Sequence, residues 1–332
     1  MKRADRNRRS TFRLTGAVLA VLVLLSALSG CGPQVTQDEN KVQVVSTLFP
    51  YYDFARQIGG DRIEVTLLLS PGRESHSFEP TPLDVICISE ADVFLYNGGE
   101  GEVWVDETMD AYDAPDQVVC RMMDYVDTLE EELVEGMEAE GGHDHDHEGH
   151  VEDSDEIEYD EHIWTSPVNA GLLAQAVCDA LTEADPEGAD YYAANLAAYQ
   201  AQLHELDAAF RQVVSEGKRD ILVFGDRFPL LYFCKTYGLR YRAAFQGCSS
   251  DTEPSVKTLA YLIDKVNEEH IPVVYHLELS SEAITNVICE STGAKSLQFH
   301  SCHNLSREDF EQGATYLSLM WQNVEALKEG LA

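Results

Sequence analysis

The feature that most constrains this chain is the alternation of short apolar runs with helical stretches between residues 42 and 299. Residues 52–58 and 82–90, for example, have helical character. Runs rich in β-branched and aromatic residues, typical of strands, occupy residues 42–49, 63–69, 92–96, 118–121, 221–224, 241–245, 273–277 and 296–299. Such alternation predicts an α/β fold with two lobes, each containing a mostly parallel sheet flanked by helices.

Between the two halves lies one long helical pattern. Pro186 precedes it and Gly217 follows it, as start and stop signals do. At 1.5 Å per residue, residues 188–216 would form a rod of roughly 40 Å. The pattern predicts a rigid helix linking an N-terminal lobe (41–187) to a C-terminal lobe (217–332), although a helix within one lobe is the alternative. Its apolar residues recur at steps of three and four: Ala189, Tyr192, Leu196, Tyr199, Leu203, Leu206, Phe210 and Val213.

The first thirty residues read as an export signal. A basic segment is followed by an apolar stretch at residues 14–28, which is too short to span a bilayer comfortably. The sequence Leu-Ser-Gly-Cys at residues 28–31 resembles the lipobox of bacterial lipoproteins. That resemblance implies a signal peptide (1–30), acylation of Cys31, a tether (31–40) and anchoring at the outer face of the cell membrane. An ordinary secretory signal or a short anchor helix is the alternative.

Charge narrows the class of ligand. The formal net charge of −36 argues against nucleic acid and favours cations, although solubility outside the cell also explains acidity. The acids concentrate at residues 130–161, a segment with almost no apolar periodicity that reads as a loop. Imidazoles interleaved with carboxylates favour divalent metals. We therefore predict an auxiliary metal loop, against the alternative of incidental histidines, formed by His143, His145, His147 and His150.

Further potential ligands fall mostly at the carboxyl ends of predicted strands, where open α/β sheets place their ligand crevice. His162 differs, because it lies in a loop before a helix. Neutral imidazole with carboxylate suits zinc, and manganese less well. The residues that follow predicted strands are His76, Asp226, Glu278 and His300.

Four motifs resemble the zinc and manganese solute-binding proteins of ABC transporters, the ZnuA/TroA-like cluster. They are GRESHSFEPTP at residues 72–82, DEHIWTSP at 160–167, YFCKTYGL at 232–239 and GAKSLQFHSCHN at 293–304. The resemblance implies two α/β lobes joined by one long helix with the metal between them, and a permease with its ATPase as partners. Carried over by position, His76 and His162 are ligands and His300 takes the last ligand position.

The sequence departs from the family at the third ligand. Counting back from the third motif reaches Arg227, which cannot ligate a cation. Its neighbour Asp226 is the nearest competent group, and Glu278 is the reserve. The predicted metal ligands are therefore His76, His162, Asp226 and His300, with Glu278 and His303 as alternates or supporting groups.

We expect a monomeric zinc-binding lipoprotein that captures Zn²⁺ and delivers it to a permease, and not an enzyme. A manganese-specific binding protein or adhesin is one alternative, and a zinc-dependent hydrolase is another. The chain contains neither HExxH nor GxSxG, which weakens the hydrolase reading. A disulfide between Cys248 and Cys302 is a further hypothesis.

Overall fold

The fold contains two parallel sheets that succeed one another along the chain. The computed structural model describes residues 41–73, 78–112, 114–137, 158–247 and 254–332. The first sheet has the order β2-β1-β3-β4 and the second β6-β5-β7-β8, and every pairing is parallel. The predicted α/β class is confirmed. The strands are β1 (Val42–Ser46), β2 (Ile63–Leu67), β3 (Val93–Tyr96), β4 (Val118–Arg121), β5 (Ile221–Phe228), β6 (Arg240–Gln246), β7 (Val273–His276) and β8 (Lys295–Gln298).

Helices separate the strands. Within the described ranges they are α1 (Phe49–Gly59), α2 (Pro82–Ser89), α3 (Trp104–Met109), α4 (Pro167–Ala184), α5 (Ala189–Glu216), α6 (Leu231–Tyr237), α7 (Val256–Glu268), α8 (Ala283–Thr292), α9 (Arg307–Glu311) and α10 (Tyr316–Leu331). No helix in this part of the chain is both long and apolar enough to cross a membrane.

The long helix α5 has 28 residues, close to the predicted range of 188–216. It packs against α1, α4 and α10. A single apolar cluster includes residues of both sheets and of this helix, so the core is continuous across the two halves. The division into lobes at residues 187 and 217 stays a prediction. Its buried face consists of Tyr192, Leu196, Tyr199, Leu203, Leu206 and Phe210.

Strand β5 is longer than the sequence indicates. We expected it to end at residue 224, but it continues to Phe228 with a register shift between Phe224 and Arg227. Gly225 permits a close approach there, because a Cβ atom would lie 2.5 Å from Thr285 Oγ1. As a result, Asp226 lies inside the strand and not after its end, which corrects the predicted placement.

Candidate metal centre

A small cavity lies at the carboxyl end of the second sheet, bordered also by segments of the first half of the chain. Its volume is about 40 Å³, enough for an ion or a water molecule. It lies where open parallel sheets bind ligands. Among its lining residues are Arg73, His162, Arg227, Glu278, Ser301 and His303.

His162 enters the cavity from the loop before α4. The helix begins at Pro167, and the Ser166 side chain caps it, so the loop must end there. The Asp160 carboxylate oxygen Oδ1 accepts the backbone N–H of His162 at 2.8 Å and lies 3.2 Å from His162 Nδ1. This contact keeps the proton on Nδ1, which leaves Nε2 as the nitrogen that can bind a metal.

Asp160 is itself held in place, because the Tyr232 hydroxyl donates to its backbone oxygen at 2.8 Å. Burial lowers the pKa of His162, but the negative charge of Asp160, followed by Glu161 and Glu131, outweighs burial. The pKa of His162 is therefore raised above its ordinary value of 6.5. A divalent cation at Nε2 would be favoured by the same carboxylates.

His303 is the second imidazole in the cavity. Its ring centroid lies 5.3 Å from that of His162, with the ring planes at 80°. The indole of Trp164 packs against both rings, at 5.5 Å from His162 and 5.1 Å from His303. Two imidazoles at this separation are close enough for one metal ion to reach both after small ring rotations.

The turn that carries His303 has a strained backbone. Cys302 has a φ of +60°, and Leu279, next to Glu278, has a φ of +63°. Such conformations cost about 1–3 kcal/mol in residues other than glycine and concentrate at functional sites. The turn is held by two bonds, from Cys302 N to His300 Nδ1 at 2.9 Å and from His303 N to Ser301 Oγ at 3.2 Å.

His300 occupies a different environment. The described residues that line the cavity include His303 but not His300. Asn323 holds its backbone by accepting from His300 N and donating to His300 O, each at 2.7 Å. The Nδ1 atom of His300 accepts a hydrogen bond from Cys302 N, so the proton of the ring lies on Nε2. Among the described atoms, the buried Nε2 of His300 has no hydrogen-bond partner. Nδ1 also lies 3.4 Å from Glu278 Oε1.

The two candidate carboxylates are both engaged in the protein. Glu278 lines the cavity, and it accepts hydrogen bonds from the backbone N–H of Ser301 at 2.7 Å and from the Ser301 hydroxyl. Asp226 accepts from Arg227 N at 2.8 Å, from Leu277 N at 3.1 Å and from the Ser280 hydroxyl. Asp226 therefore braces the loop after β7, and Glu278 braces the turn before His303.

Hydrogen bonds join the two halves of the chain beside the cavity. Trp164 Nε1 donates to Ser301 O at 2.8 Å, and Asn304 Nδ2 donates to Arg73 O at 2.8 Å. Gly247 approaches His162 so closely that a Cβ atom would lie 3.2 Å from its ring carbon Cε1. The residues around the two imidazoles are therefore tightly packed.

Several predicted site residues lie outside the described residues: Cys31, His76, His143, His145, His147 and His150. Among the residues that are described, no three His, Cys, Asp or Glu side chains are grouped so as to hold a metal ion. The full ligand set thus stays a prediction. Cys302 is buried with a free thiol, and Cys248 is outside the described ranges.

The sequence ranked His300 above His303 because His300 comes first after a predicted strand. The strand end is correct to within one residue. The left-handed turn at Cys302, which carries the chain on to His303, has no glycine or asparagine to indicate it. The only available signal was the nearness of a second histidine.

Comparison with known proteins agrees with this architecture. The chain is 34% identical over 302 residues to the zinc-binding lipoprotein AdcA of Streptococcus pneumoniae strain R6, covering 91% of this chain and 58% of AdcA. It therefore spans little more than half the length of that relative. It is 32% identical over 320 residues to the high-affinity zinc uptake system protein ZnuA of Bacillus subtilis strain 168, covering 95% of this chain and 96% of the relative.

Among solved structures, the Zn(II)-bound ZnuA-like domain of Streptococcus pneumoniae AdcA matches with a TM-score of 0.70 and 30% identity. The match covers 88% of this chain and 99% of that domain. The family model for the zinc-uptake complex component A, periplasmic, matches residues 44–330. That family is one of uptake components and not of enzymes. The predicted resemblance is confirmed, and the chain belongs to the ZnuA family.

Proposed function

We propose that this protein binds Zn²⁺ outside the cytoplasm and delivers it to an ABC permease driven by an ATPase. Family membership supports a role in metal uptake, and relatives at 32–34% identity are named for zinc. The observation that carries the proposal is the pair of imidazoles, His162 and His303, 5.3 Å apart in a cavity at the sheet end. Acylation of Cys31 would keep the protein at the membrane beside its permease.

We propose His162 and His303 as ligands, together with His76 as the sequence predicts. His162 offers Nε2 because Asp160 engages Nδ1. His300 and Asp226 then support the site, since Asp226 already accepts three hydrogen bonds and His300 faces Glu278. Imidazole ligands favour zinc over manganese, which prefers harder oxygen donors.

Single substitutions test this ligand set. His162→Ala and His303→Ala should each weaken zinc binding by at least about 100-fold, measured by competition with a chelator, because each removes one direct bond. His300→Ala should cost less, in the range of about 10–100-fold expected for a supporting group. His204→Ala, on an exposed face of α5, is the matched control. The proposed set is wrong if His300→Ala abolishes binding and His303→Ala does not.

The identity of the metal can be determined directly. Anomalous scattering at the zinc and manganese edges from metal-loaded crystals should give one strong zinc peak between His162 and His303. Affinity measured by calorimetry should fall between pH 7.5 and pH 5, because protons compete for imidazole nitrogen. A manganese peak at this position, or an affinity independent of pH, would favour the manganese-specific alternative with oxygen ligands.

We also propose that residues 141–150 collect zinc weakly and feed the cavity. Deleting them should remove weak sites from a calorimetric titration and leave one tight site, because the cavity ligands are elsewhere in the chain. Loss of the tight site in the deletion variant would instead identify the loop as the principal site.

A further inference from the structure

The short helix α6 contacts both halves of the chain. It follows β5 in the second half, where the ring of Phe233 packs edge-to-face against Phe210 of α5 at 4.9 Å and against Phe299 at 5.4 Å. Phe299 directly precedes the turn that carries His303. This face of α6 is therefore packed in the same core as that turn.

Another face of α6 contacts the first half through three side chains. Tyr232, Lys235 and Thr236 are spaced at i, i+3 and i+4, so they lie on one side of the helix. Lys235 Nζ pairs with Glu132 Oε1 at 2.6 Å, and Thr236 Oγ1 donates to Ser166 Oγ at 2.8 Å. The lysine pair is exposed and contributes little, whereas Tyr232 is buried. The two hydroxyl groups therefore make the stronger attachment.

These hydroxyl groups hold both ends of the loop that carries His162. The loop runs from Asp160 to Ser166, which caps α4. The Tyr232 hydroxyl donates to Asp160 O at 2.8 Å and accepts from Leu129 N at 3.0 Å, and Asp160 N donates to Leu129 O at 2.9 Å. Both backbone groups of Asp160 are thus engaged, and its carboxylate is directed at His162. The position of His162 therefore depends on a helix of the second half.

We propose that α6 positions His162 for zinc through Tyr232 and Thr236, and that zinc is released when this helix moves away from the loop. This inference rests on the proposed zinc function. Delivery requires a tight site to become weak, and a conformational change weakens binding only if it alters contacts that support the bound metal. Separation of Tyr232 from Asp160 does so, because a displaced Asp160 no longer keeps the proton on His162 Nδ1.

The same movement changes the distance between the two imidazoles. The turn of His303 is joined to α6 through the packing of Phe233 on Phe299, and the loop of His162 is joined to it through hydrogen bonds. Packing is spread over many atoms, whereas a hydrogen bond weakens steeply with distance and angle. The hydrogen bonds therefore break first, and His303 moves with α6 away from His162.

The rate of zinc release tests this role of α6. The full chain is loaded with one equivalent of zinc and mixed with an excess of a chromogenic chelator in a stopped-flow instrument. Tyr232→Phe keeps the ring and removes the hydroxyl, and it should speed dissociation by about 10–100-fold, the effect expected for a group that supports a ligand. Thr236→Val keeps the shape of the side chain without its hydroxyl and should speed dissociation several-fold.

Tyr237→Phe is the matched control. It removes a hydroxyl of the same helix, which donates to Asp207 Oδ1 on α5 at 3.0 Å. We expect zinc to leave this variant at the wild-type rate. The visible spectrum of the Co²⁺-loaded protein provides a second readout. It should change in Tyr232→Phe, because His162 is held differently, and it should match the wild type in Tyr237→Phe.

A wild-type release rate in Tyr232→Phe would overturn the inference while leaving the proposed function intact. Equal acceleration in Tyr237→Phe would also overturn it, because a general loosening of α6 would then explain the effect. If Tyr232→Phe does not fold, Thr236→Val decides the question by the same two criteria. Failure of the wild-type protein to bind zinc would instead reject the proposed function, and this inference with it.

Discussion

At the scale of single residues, the two imidazoles of the cavity are positioned by different means. His162 is oriented by a carboxylate two residues earlier in its own loop. His303 is oriented by the strained turn at Cys302, whose N–H donates to His300 Nδ1. The carboxylate beside His162 and the turn before His303 are different supports, and substitutions in them should affect zinc binding differently.

The first prediction concerns Asp160. Asp160→Ala removes the acceptor that keeps the proton on His162 Nδ1, and it also lowers the pKa of His162 by removing the nearest negative charge. We expect zinc affinity at pH 7.5 to fall by about 10–100-fold. Chelator competition measures the effect. Asp220→Ala, which breaks only a surface pair with Arg240, is the control, and an equal loss in both variants would contradict the prediction.

The second prediction concerns Gly247. A Cβ atom there would lie 3.2 Å from His162 Cε1 and 3.0 Å from Phe228 O, so Gly247→Ala should displace the ring or the strand end. We expect zinc affinity to drop several-fold. Gly171→Ala, in α4 with no atom within 4 Å of the new Cβ, should leave affinity unchanged and stabilise the fold by about 0.5–1 kcal/mol. Unchanged zinc affinity in Gly247→Ala would show that the packing relaxes without moving His162.

At this scale, the conformation of turns limits how well the sequence predicts the position of a side chain. Strand ends predicted the neighbourhood of Glu278 and His300 well, because carboxyl ends of parallel strands meet at one edge. They could not predict which of His300 and His303 reaches the cavity, since that depends on the positive φ of Cys302. Hydrogen-bond partners, such as the three donors to Asp226, were equally beyond prediction.

At the scale of elements, the long helix α5 follows directly from its sequence. Its six buried side chains are all members of the predicted apolar stripe, because a periodicity near 3.6 residues places them on one face. Strand β5 shows the limit of such reasoning. The polar residues Asp226 and Arg227 interrupt its apolar run, so the pattern ended at residue 224 while the ladder of hydrogen bonds to β6 continued to Phe228.

The third prediction concerns packing along α5. Leu206 is completely buried in the core shared by α5 and its neighbours, so Leu206→Ala should destabilise the protein by about 2–5 kcal/mol through lost contacts and a residual cavity. Leu172→Ala, half exposed on α4, is the control and should cost about 1 kcal/mol or less. Urea denaturation of the metal-free protein measures both. A similar small loss in both variants would mean that α5 contributes little to the common core.

At the scale of the whole molecule, one core serves both halves. Residues of the first sheet, the second sheet and α5 belong to a single apolar cluster, and hydrogen bonds such as Trp164 Nε1 to Ser301 O cross the crevice. The sequence predicted two lobes from two sets of strands. It could not predict how continuous their packing is, because contacts between distant segments leave no local periodicity.

The fourth prediction concerns the contribution of Glu102 to the dependence of stability on pH between pH 4.5 and 7. Burial raises the pKa of Glu102 from 4.5 to about 7, and the nearby Glu161 carboxylate adds to this. The Gly98 N–H, which donates to Oε2 at 2.9 Å, opposes it. In this range the folded protein holds a proton that the unfolded chain has lost. The contribution of Glu102 to the free energy of unfolding must therefore fall as the pH rises.

Glu102→Gln stays neutral and keeps an oxygen for Gly98 N–H, so it should escape this loss. Relative to wild type, the variant should gain roughly 2–3 kcal/mol in its free energy of unfolding between pH 4.5 and pH 8. Urea denaturation of the metal-free protein across that range measures the difference. Glu107→Gln, exposed on α3, should track the wild type at every pH. If the free energies of unfolding of Glu102→Gln and wild type differ by the same amount at every pH, the prediction is wrong and Glu102 ionises normally. The cavity that Glu102 borders with Glu161 would then admit enough water to solvate both carboxylates.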